Sequence, residues 1–223
     1  MAIAFVQKSS AVVVGTTGTL PANSTAGNLL IAHVIAAAVT PTAPSGWSLA
    51  ISHVSGGNSG AYIFYYENTV GGQSSFTFTN AAQVAISEWS GVATSGSLDA
   101  GATGGNDAAS SPMTMTTTGN VSVANSLAVG VVNEGESKAG TTTLGAGSGW
   151  TDQLDNGASS IAGHMMATSQ LNPTSGAALS ETVTTSSMNS ANLSGAIAVF
   201  KPAGAAAAAY IPPPRSMQPF LGQ

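Results

Sequence analysis

The sequence predicts an all-β fold: an antiparallel jelly-roll β-sandwich built from two pseudo-repeated halves, with an extended C-terminal tail. Short runs of β-branched and aromatic residues are separated by clusters of Gly, Asn, Ser and Pro, which is typical of sandwiches and barrels. The tripeptide SGW occurs at residues 45–47 and again at 148–150, although the chain has only three tryptophans. Several runs also alternate strictly between two kinds of side chain, as half-buried strands do.

The strands of the first half follow from this alternation. In the run SSFTFTN, Phe76 and Phe78 share one face of a strand, while Thr77 and Thr79 share the other. The glycine-rich run at 55–60 supplies the turn of a hairpin. The predicted strands are residues 3–8, 12–15, 29–37, 48–54, 61–67, 75–80 and 83–90.

The second half of the chain can be laid on the first. GNLLIAHVIAA at 27–37 matches ANSLAVGVVNE at 124–134, and the segment that begins with the first SGW matches the segment that begins with the second. FTFTNAAQVAISEWSGV at 76–92 matches the segment at 183–203 after a short insertion. The tripeptide therefore marks a repeated unit of roughly 100 residues with four or five strands.

The repeat predicts one domain over residues 1–202. A half alone would leave sheet edges and an apolar face uncovered, so we expect the halves, about 1–93 and 113–202, to interleave into two packed sheets. The linker at 94–112, rich in Gly, Ser and Ala, is expected to be a surface loop.

Residues 203–223 form a tail of different composition, with an alanine run followed by prolines at 212–214. Such prolines favour an extended polyproline conformation. Its apolar residues have no core of their own, and its arginine suits a partner carboxylate. We predict that the tail docks on a neighbouring subunit through Ile211, Arg215, Met217, Phe220 and Leu221.

Composition excludes several classes of function. Only four Lys and Arg are present and they are scattered, which argues against nucleic-acid binding. There is no cysteine, no recognisable signal peptide, and the most apolar run, 28–39, is too short to span a membrane. Charged residues make up 6% of the chain, and so weakly charged a surface favours association, so we expect a homo-oligomer.

No catalytic, metal or cofactor site is predicted. His33, His53 and His164 are far apart and are interpreted as structural, and the run at 133–138 lacks the acidic density of a calcium loop. Glu88 lies in a strand, but its counterpart in the other half is apolar, so no carboxylate pair is evident. Trp47 and Trp150 could form a sugar-stacking platform, but their repetition favours packing. The protein is expected not to be an enzyme.

The combination of an apolar GNLL strand at 27–30, a PSGW turn at 44–47, an aromatic strand with YY at 65–66 and a closing EWSGV strand at 88–92 resembles a family of jelly-roll proteins of tailed phages. Members are minor tail, head-fibre or capsid decoration proteins. Gly-Asn stands here where the family commonly has Gly-Asp.

This resemblance implies a non-enzymatic structural protein of a virion, assembled in the host bacterial cytoplasm, whose partners are capsid or tail subunits. It does not distinguish capsid from tail. The alternative is a carbohydrate-binding module that attaches to a host-surface glycan. A glycoside hydrolase is a third class, which the missing carboxylate pair disfavours.

Overall fold

A computed structural model describes residues 1–37, 39–55, 60–108, 111–134, 144–155, 164–185 and 193–204. Every regular element in these residues is a β-strand, which confirms the predicted all-β class. The strands are β1 (Ala4–Lys8), β2 (Val13–Val14), β3 (Thr17–Thr19), β4 (Leu29–Ala36), β5 (Ser48–Val54), β6 (Gly60–Tyr66), β7 (Ser75–Thr77), β8 (Gln83–Ser90), β9 (Leu98–Ala108), β10 (Met113–Asn120), β11 (Leu127–Glu134), β12 (Leu144–Gly145), β13 (Thr151–Asp155), β14 (His164–Leu171), β15 (Ala178–Thr185) and β16 (Leu193–Phe200).

The strands form two large and two small antiparallel sheets. The first large sheet has the order β1-β8-β4-β6-β5, with β2 also paired to β8, and the second has the order β13-β14-β11-β16-β9. The first small sheet is β3-β7 and the second is β10-β15-β12. Read from the other end, the second large sheet repeats the first strand for strand: β9 matches β1, β16 matches β8, β11 matches β4, β14 matches β6 and β13 matches β5. The two halves are thus copies of one strand order.

Cross-strand pairing corrects the alignment of the repeats by one residue. Leu29 pairs with Trp89 at the end of β8, and Leu127 pairs with Phe200 at the end of β16. Leu29 therefore corresponds to Leu127, whereas the sequence match placed it against Ser126. A slip of one residue moves every side chain of a strand to the opposite face, so only the corrected alignment puts matching residues in matching cores.

Three apolar clusters hold the sheets together. One lies between the two large sheets and includes Ile31 and Ile63 from one half and Val129 and Ala196 from the other. The other two lie between each large sheet and the small sheet of its own half. Each large sheet consists of strands from one half alone. The halves therefore stack face to face and do not interleave as we expected from the sequence.

The segment expected as a surface loop, 94–112, contains the edge strand β9. Its glycines are needed for packing rather than for a turn. A β-carbon on Gly104 would lie 2.0 Å from the carbonyl oxygen of Thr116 in β10, and one on Gly105 would lie 2.7 Å from the β-carbon of His53 in β5. The close approach of the neighbouring strands requires glycine at these positions. β9 therefore has the amino-acid composition of a loop.

Substituting alanine at Gly104 is expected to lower the free energy of unfolding by about 1 to 3 kcal/mol or more, because the methyl group must displace backbone atoms of β10. Gly101 is a matched control in the same strand, since a β-carbon there meets no atom within 4 Å. Gly101→Ala should be neutral or slightly stabilising. Urea titration of both variants measures the difference. Equal stability of the two variants would show that β9 is not packed as described.

Candidate functional site

The two SGW tripeptides form the same turn in both halves. The backbone N–H groups of Trp47 and Trp150 donate to the carbonyl oxygen three residues earlier, at 3.3 and 3.0 Å. Gly46 and Gly149, at the third position of the turn, have φ of 90° and 84°. A type II turn requires this left-handed value, which glycine adopts without strain. Each tryptophan therefore lies directly before an edge strand, β5 or β13, and the chain enters the two strands through the same turn.

Trp47 is surrounded by other aromatic rings of the first half. The rings of Phe76 and Phe78 meet it edge-on with centroids 5.2 Å away, and Tyr66 is tilted against it at 5.9 Å. Such edge-to-face geometry is the favoured one for aromatic pairs. With 9% of its surface exposed, Trp47 is a core residue that reaches the surface at one margin, and its ring is not an open platform.

The two indole N–H groups differ. Trp150 Nε1 donates to the carbonyl oxygen of Ser180 in β15 at 3.2 Å. Trp47 Nε1 has no hydrogen-bond partner among the described residues, and it is not one of the buried polar atoms that are shielded from solvent. Within the described part of the chain, the indole N–H is thus bonded in the second half and has no partner in the first.

An open pocket of about 500 Å³ lies beside Trp47. Its walls are the SGW turn, the loop at 72–74 and strand β7. A second open pocket, of about 530 Å³, lies where Met1 and Ala2 meet residues 123–125 and 202–204. Sequence reasoning identified Trp47 but could not place these surroundings, which come from three separate parts of the chain.

Glu88, the carboxylate singled out in the sequence, fastens a loop. It is fully buried, and its Oε1 accepts hydrogen bonds from the backbone N–H of Thr25 at 2.8 Å and from the side-chain amide of Asn28 at 2.7 Å. The amide of Gln7 donates to its Oε2. Its place in the second half is taken by Val199, as the sequence comparison indicated. Two of these hydrogen bonds hold the chain just before β4, and the third joins β1 to β8.

A different carboxylate holds the corresponding loop in the second half. Asp99, at the start of β9, accepts a hydrogen bond from the backbone N–H of Ser122 at 2.7 Å, in the loop before β11. It is 7% exposed. The two loops are therefore fastened by acids on different strands, which explains why no symmetric carboxylate pair is visible in the sequence.

His33 is buried between the two large sheets. Burial lowers its pKa to about 4, and a hydrogen bond to the backbone of Gly130 in β11 raises it only in part. Its Nδ1 is buried and has no hydrogen-bond partner among the described residues. By the corrected alignment His33 corresponds to Val131. The imidazole thus occupies an apolar position in the joint between the halves.

The other two histidines contact carboxylates, which sequence spacing did not indicate. His53 Nε2 lies 3.1 Å from Asp107 at the contact of β5 with β9. His164 Nε2 is hydrogen-bonded to Asp155, and its Nδ1 lies 3.7 Å from Glu134. Cross-strand neighbours come together here from residues far apart in the chain.

Asp152 lies close to this group. Burial and the negative charge of Asp155 raise its pKa, while the charges of Lys8 and His164 lower it in part. The ammonium of Lys8 donates to the carbonyl oxygen of Gln153, which ties β1 of the first half to β13 of the second. The group thus lies where the two halves meet, and its contacts are consistent with a structural role.

Glu181 is a buried acid that the sequence reasoning missed. It lies in β15 between Leu179 and Val183, all three facing the core of the second half. Burial raises its pKa to about 8, against the opposing effects of hydrogen bonds from the Thr168 hydroxyl and the Gly147 backbone. The signal was present in the alternation of β15, in which a glutamate occupies an inward position.

In the described part of the chain, no group of three or more His, Asp or Glu side chains could hold a metal ion. Nor does any helix there have the length and apolar character needed to cross a membrane. The predicted tail anchors, Ile211, Arg215, Met217, Phe220 and Leu221, lie outside the described residues, as does most of the run at 133–138.

Comparison with known proteins gives no match: no protein-family model, no curated protein and no solved structure is significantly similar to the chain.

Proposed function

We propose that the chain is a non-enzymatic structural protein of a bacteriophage virion, a capsid decoration or minor tail protein that acts through protein–protein contacts. The observation that carries this proposal is the internal use of its few ionisable groups. Glu88 and Asp99 fasten loops, Glu181 is buried, and His164 is paired within the fold. The part of the surface that the structure describes is therefore left with few ionised side chains.

Further contacts extend this pattern. Lys8 is bonded to a backbone carbonyl, and the carboxylate of Glu67 accepts a hydrogen bond from the backbone N–H of Ser97. The outward faces of β10 and β15 instead carry hydroxyls, such as Thr114 bonded to Thr182 at 2.9 Å. A surface of hydroxyl and methyl groups has little long-range repulsion between copies, which suits a protein that is packed against others.

The edge strand β1 offers a contact surface. Phe5 and Val6 are 43% and 42% exposed, and Phe5 packs edge-on against Trp89 with ring centroids 5.3 Å apart. β1 is at the edge of the first large sheet, so its outer side lacks a strand partner among the described residues. Exposed apolar side chains on an open edge favour pairing with another chain. Capsid or tail subunits, or further copies of this chain, are the partners we propose.

The resemblance to jelly-roll proteins of tailed phages supports the same proposal and extends it to assembly in the bacterial cytoplasm. It covers the segments that form the SGW turns and the central strands of both halves. We assign no catalytic residue, because Glu88, the carboxylate singled out in the sequence, and Asp99 are both engaged in holding loops.

Deleting residues 205–223 is expected to leave thermal stability unchanged and to reduce incorporation into particles. The three apolar clusters lie wholly within the described residues before this segment. Burial of each large apolar anchor of the tail on a neighbour would contribute roughly 1.5 to 3 kcal/mol. Calorimetry and mass-spectrometric copy numbers per particle measure the two effects.

A full-length variant with serine at Ile211, Met217, Phe220 and Leu221 is the control for tail length. It should lose incorporation as the deletion does, because it keeps the chain but removes the anchors. If the truncated protein enters particles at the full copy number, the tail is not a docking arm.

A further inference from the structure

We propose that the pocket beside Trp47 binds a neutral, hydroxyl-rich ligand: a sugar residue of a glycan chain. This goes beyond the structural role proposed above and does not depend on it. The pocket volume of about 500 Å³ lies within the range of about 300 to 1,000 Å³ that is usual for small-molecule sites.

The chemistry of the lining selects the class of ligand. Among the described residues, no ionisable side chain lines the pocket. An anion such as a phosphate would find no cation there, and a cation would find no carboxylate. The polar groups are the amides of Asn23 and Gln73 and the hydroxyls of Ser45, Ser75 and Thr77, which can each donate and accept hydrogen bonds. Ligand hydroxyls need partners of this kind.

The apolar part of the lining suits the other face of a sugar. Pro44, Trp47 and Phe76 are the residues with rings among those that line the pocket. A pyranose has both an apolar face of C–H groups and a rim of hydroxyls. One sugar residue can therefore pack against the rings and also hydrogen-bond to the neutral polar side chains. This pairing of ring edges with neutral hydrogen-bonding groups favours a glycan over a peptide.

The indole N–H of Trp47 provides a second, independent observation. It lacks a partner among the described residues and lies on a side chain that lines the pocket, whereas the equivalent N–H of Trp150 is bonded to Ser180. Trp N–H groups usually find a hydrogen-bond partner where they are largely buried. In the first half that partner is left for a ligand oxygen.

The walls are preorganised. The loop with Gln73 is held by backbone hydrogen bonds from Ser24 to the Gln73 carbonyl at 2.7 Å and from Leu20 to the Ser74 carbonyl at 2.7 Å. Trp47 is fixed by the three rings around it. Little conformational entropy is therefore lost on binding, which favours measurable affinity for a small ligand.

The test is a titration of the ¹⁵N-labelled full chain with three neutral trisaccharides: maltotriose, cellotriose and N,N′,N″-triacetylchitotriose. We expect at least one of them to shift the indole N–H signal of Trp47, with an apparent Kd on the order of millimolar, and to leave the signal of Trp150 in place. Gln73→Ala, at an exposed position, should weaken binding about tenfold or more. Gln170→Ala, beside the Trp150 turn, is the matched control and should have no effect.

Three results would overturn the proposal. The first is that none of the sugars shifts the Trp47 signal at about 20 mM, well above the expected millimolar Kd. The second is that Trp47 and Trp150 shift equally, which indicates a non-specific effect. The third is that only a neutral Ser- and Pro-rich peptide shifts the Trp47 signal, which would make the pocket a peptide site. None of these results bears on whether the protein is part of a particle.

Discussion

Replacing Glu181 with glutamine is expected to make the protein more stable than the unchanged chain at pH 8, by roughly 3 to 5 kcal/mol. Near pH 4.5 the free energies of unfolding of the variant and the unchanged protein should differ little. Glutamine has nearly the same shape and can still accept a hydrogen bond from Thr168, but it cannot ionise.

The sign follows from the raised pKa of Glu181. Burial raises it from 4.5, its ordinary value, to about 8. Between these values the native carboxyl keeps its proton while the unfolded one has lost it, so the native state binds more protons. The free energy of unfolding therefore falls as pH rises through this window, by about 1.4 kcal/mol per unit. Above pH 8 the loss is complete.

Urea titrations at half-unit intervals from pH 4.5 to 9 measure this slope. Glu67→Gln is the control for the replacement of a carboxylate by an amide, since Glu67 is only partly buried and accepts a hydrogen bond from the backbone N–H of Ser97. The gain in stability expected for Glu181→Gln at pH 8 should be absent from this control. A Glu181→Gln variant with the same pH dependence as the unchanged protein would mean that Glu181 is ionised in the native state.

Replacing His33 with valine, the residue at the corresponding position 131, is expected to remove a loss of stability on the acid side. Burial lowers the pKa of His33 from 6.5 to about 4, so between these values the unfolded imidazole is protonated and the native one is not. The unfolded state then binds more protons, and stability is lost as pH falls. The loss from His33 by pH 4 is roughly 2 to 4 kcal/mol.

The readout is the slope of the free energy of unfolding between pH 4 and 6.5, which does not depend on any constant offset from the changed packing. His53→Gln is the control for the replacement of a histidine, since His53 is partly exposed beside Asp107. A His33→Val variant with the same slope as the unchanged protein would assign the acid sensitivity to other groups. Together, His33 and Glu181 predict opposing slopes that cancel between pH 4.5 and 6.5.

The strands of the first half could be predicted because alternation and turn residues are local signals. The predicted strands at 48–54 and 83–90 agree with β5 and β8 end to end. The short strand β3 was missed because Gly18 interrupts it. That glycine is required because a β-carbon there would lie 2.7 Å from the side chains of Ile86 and Val84. β9 was missed for the same reason, since close packing gave it the composition of a loop.

The layer order and the site residues depend on tertiary contacts that local patterns do not encode. Whether two similar halves interleave or stack depends on which strands are apolar on both of their faces. β4 and β11 are buried throughout, which matches strands covered on both faces. The pairing of His164 with Asp155 and the pocket beside Trp47 likewise join residues from separate strands and loops.

The central claim, the proposed structural role in a virion, is tested most directly by locating the protein in purified phage particles. Electron microscopy with an antibody against the chain, together with mass-spectrometric counting, measures its place and copy number. We predict a constant number of copies at one place, either the capsid surface or the tail. Absence from purified particles, with the protein free in the lysate and releasing reducing ends from host glycans, would contradict the account.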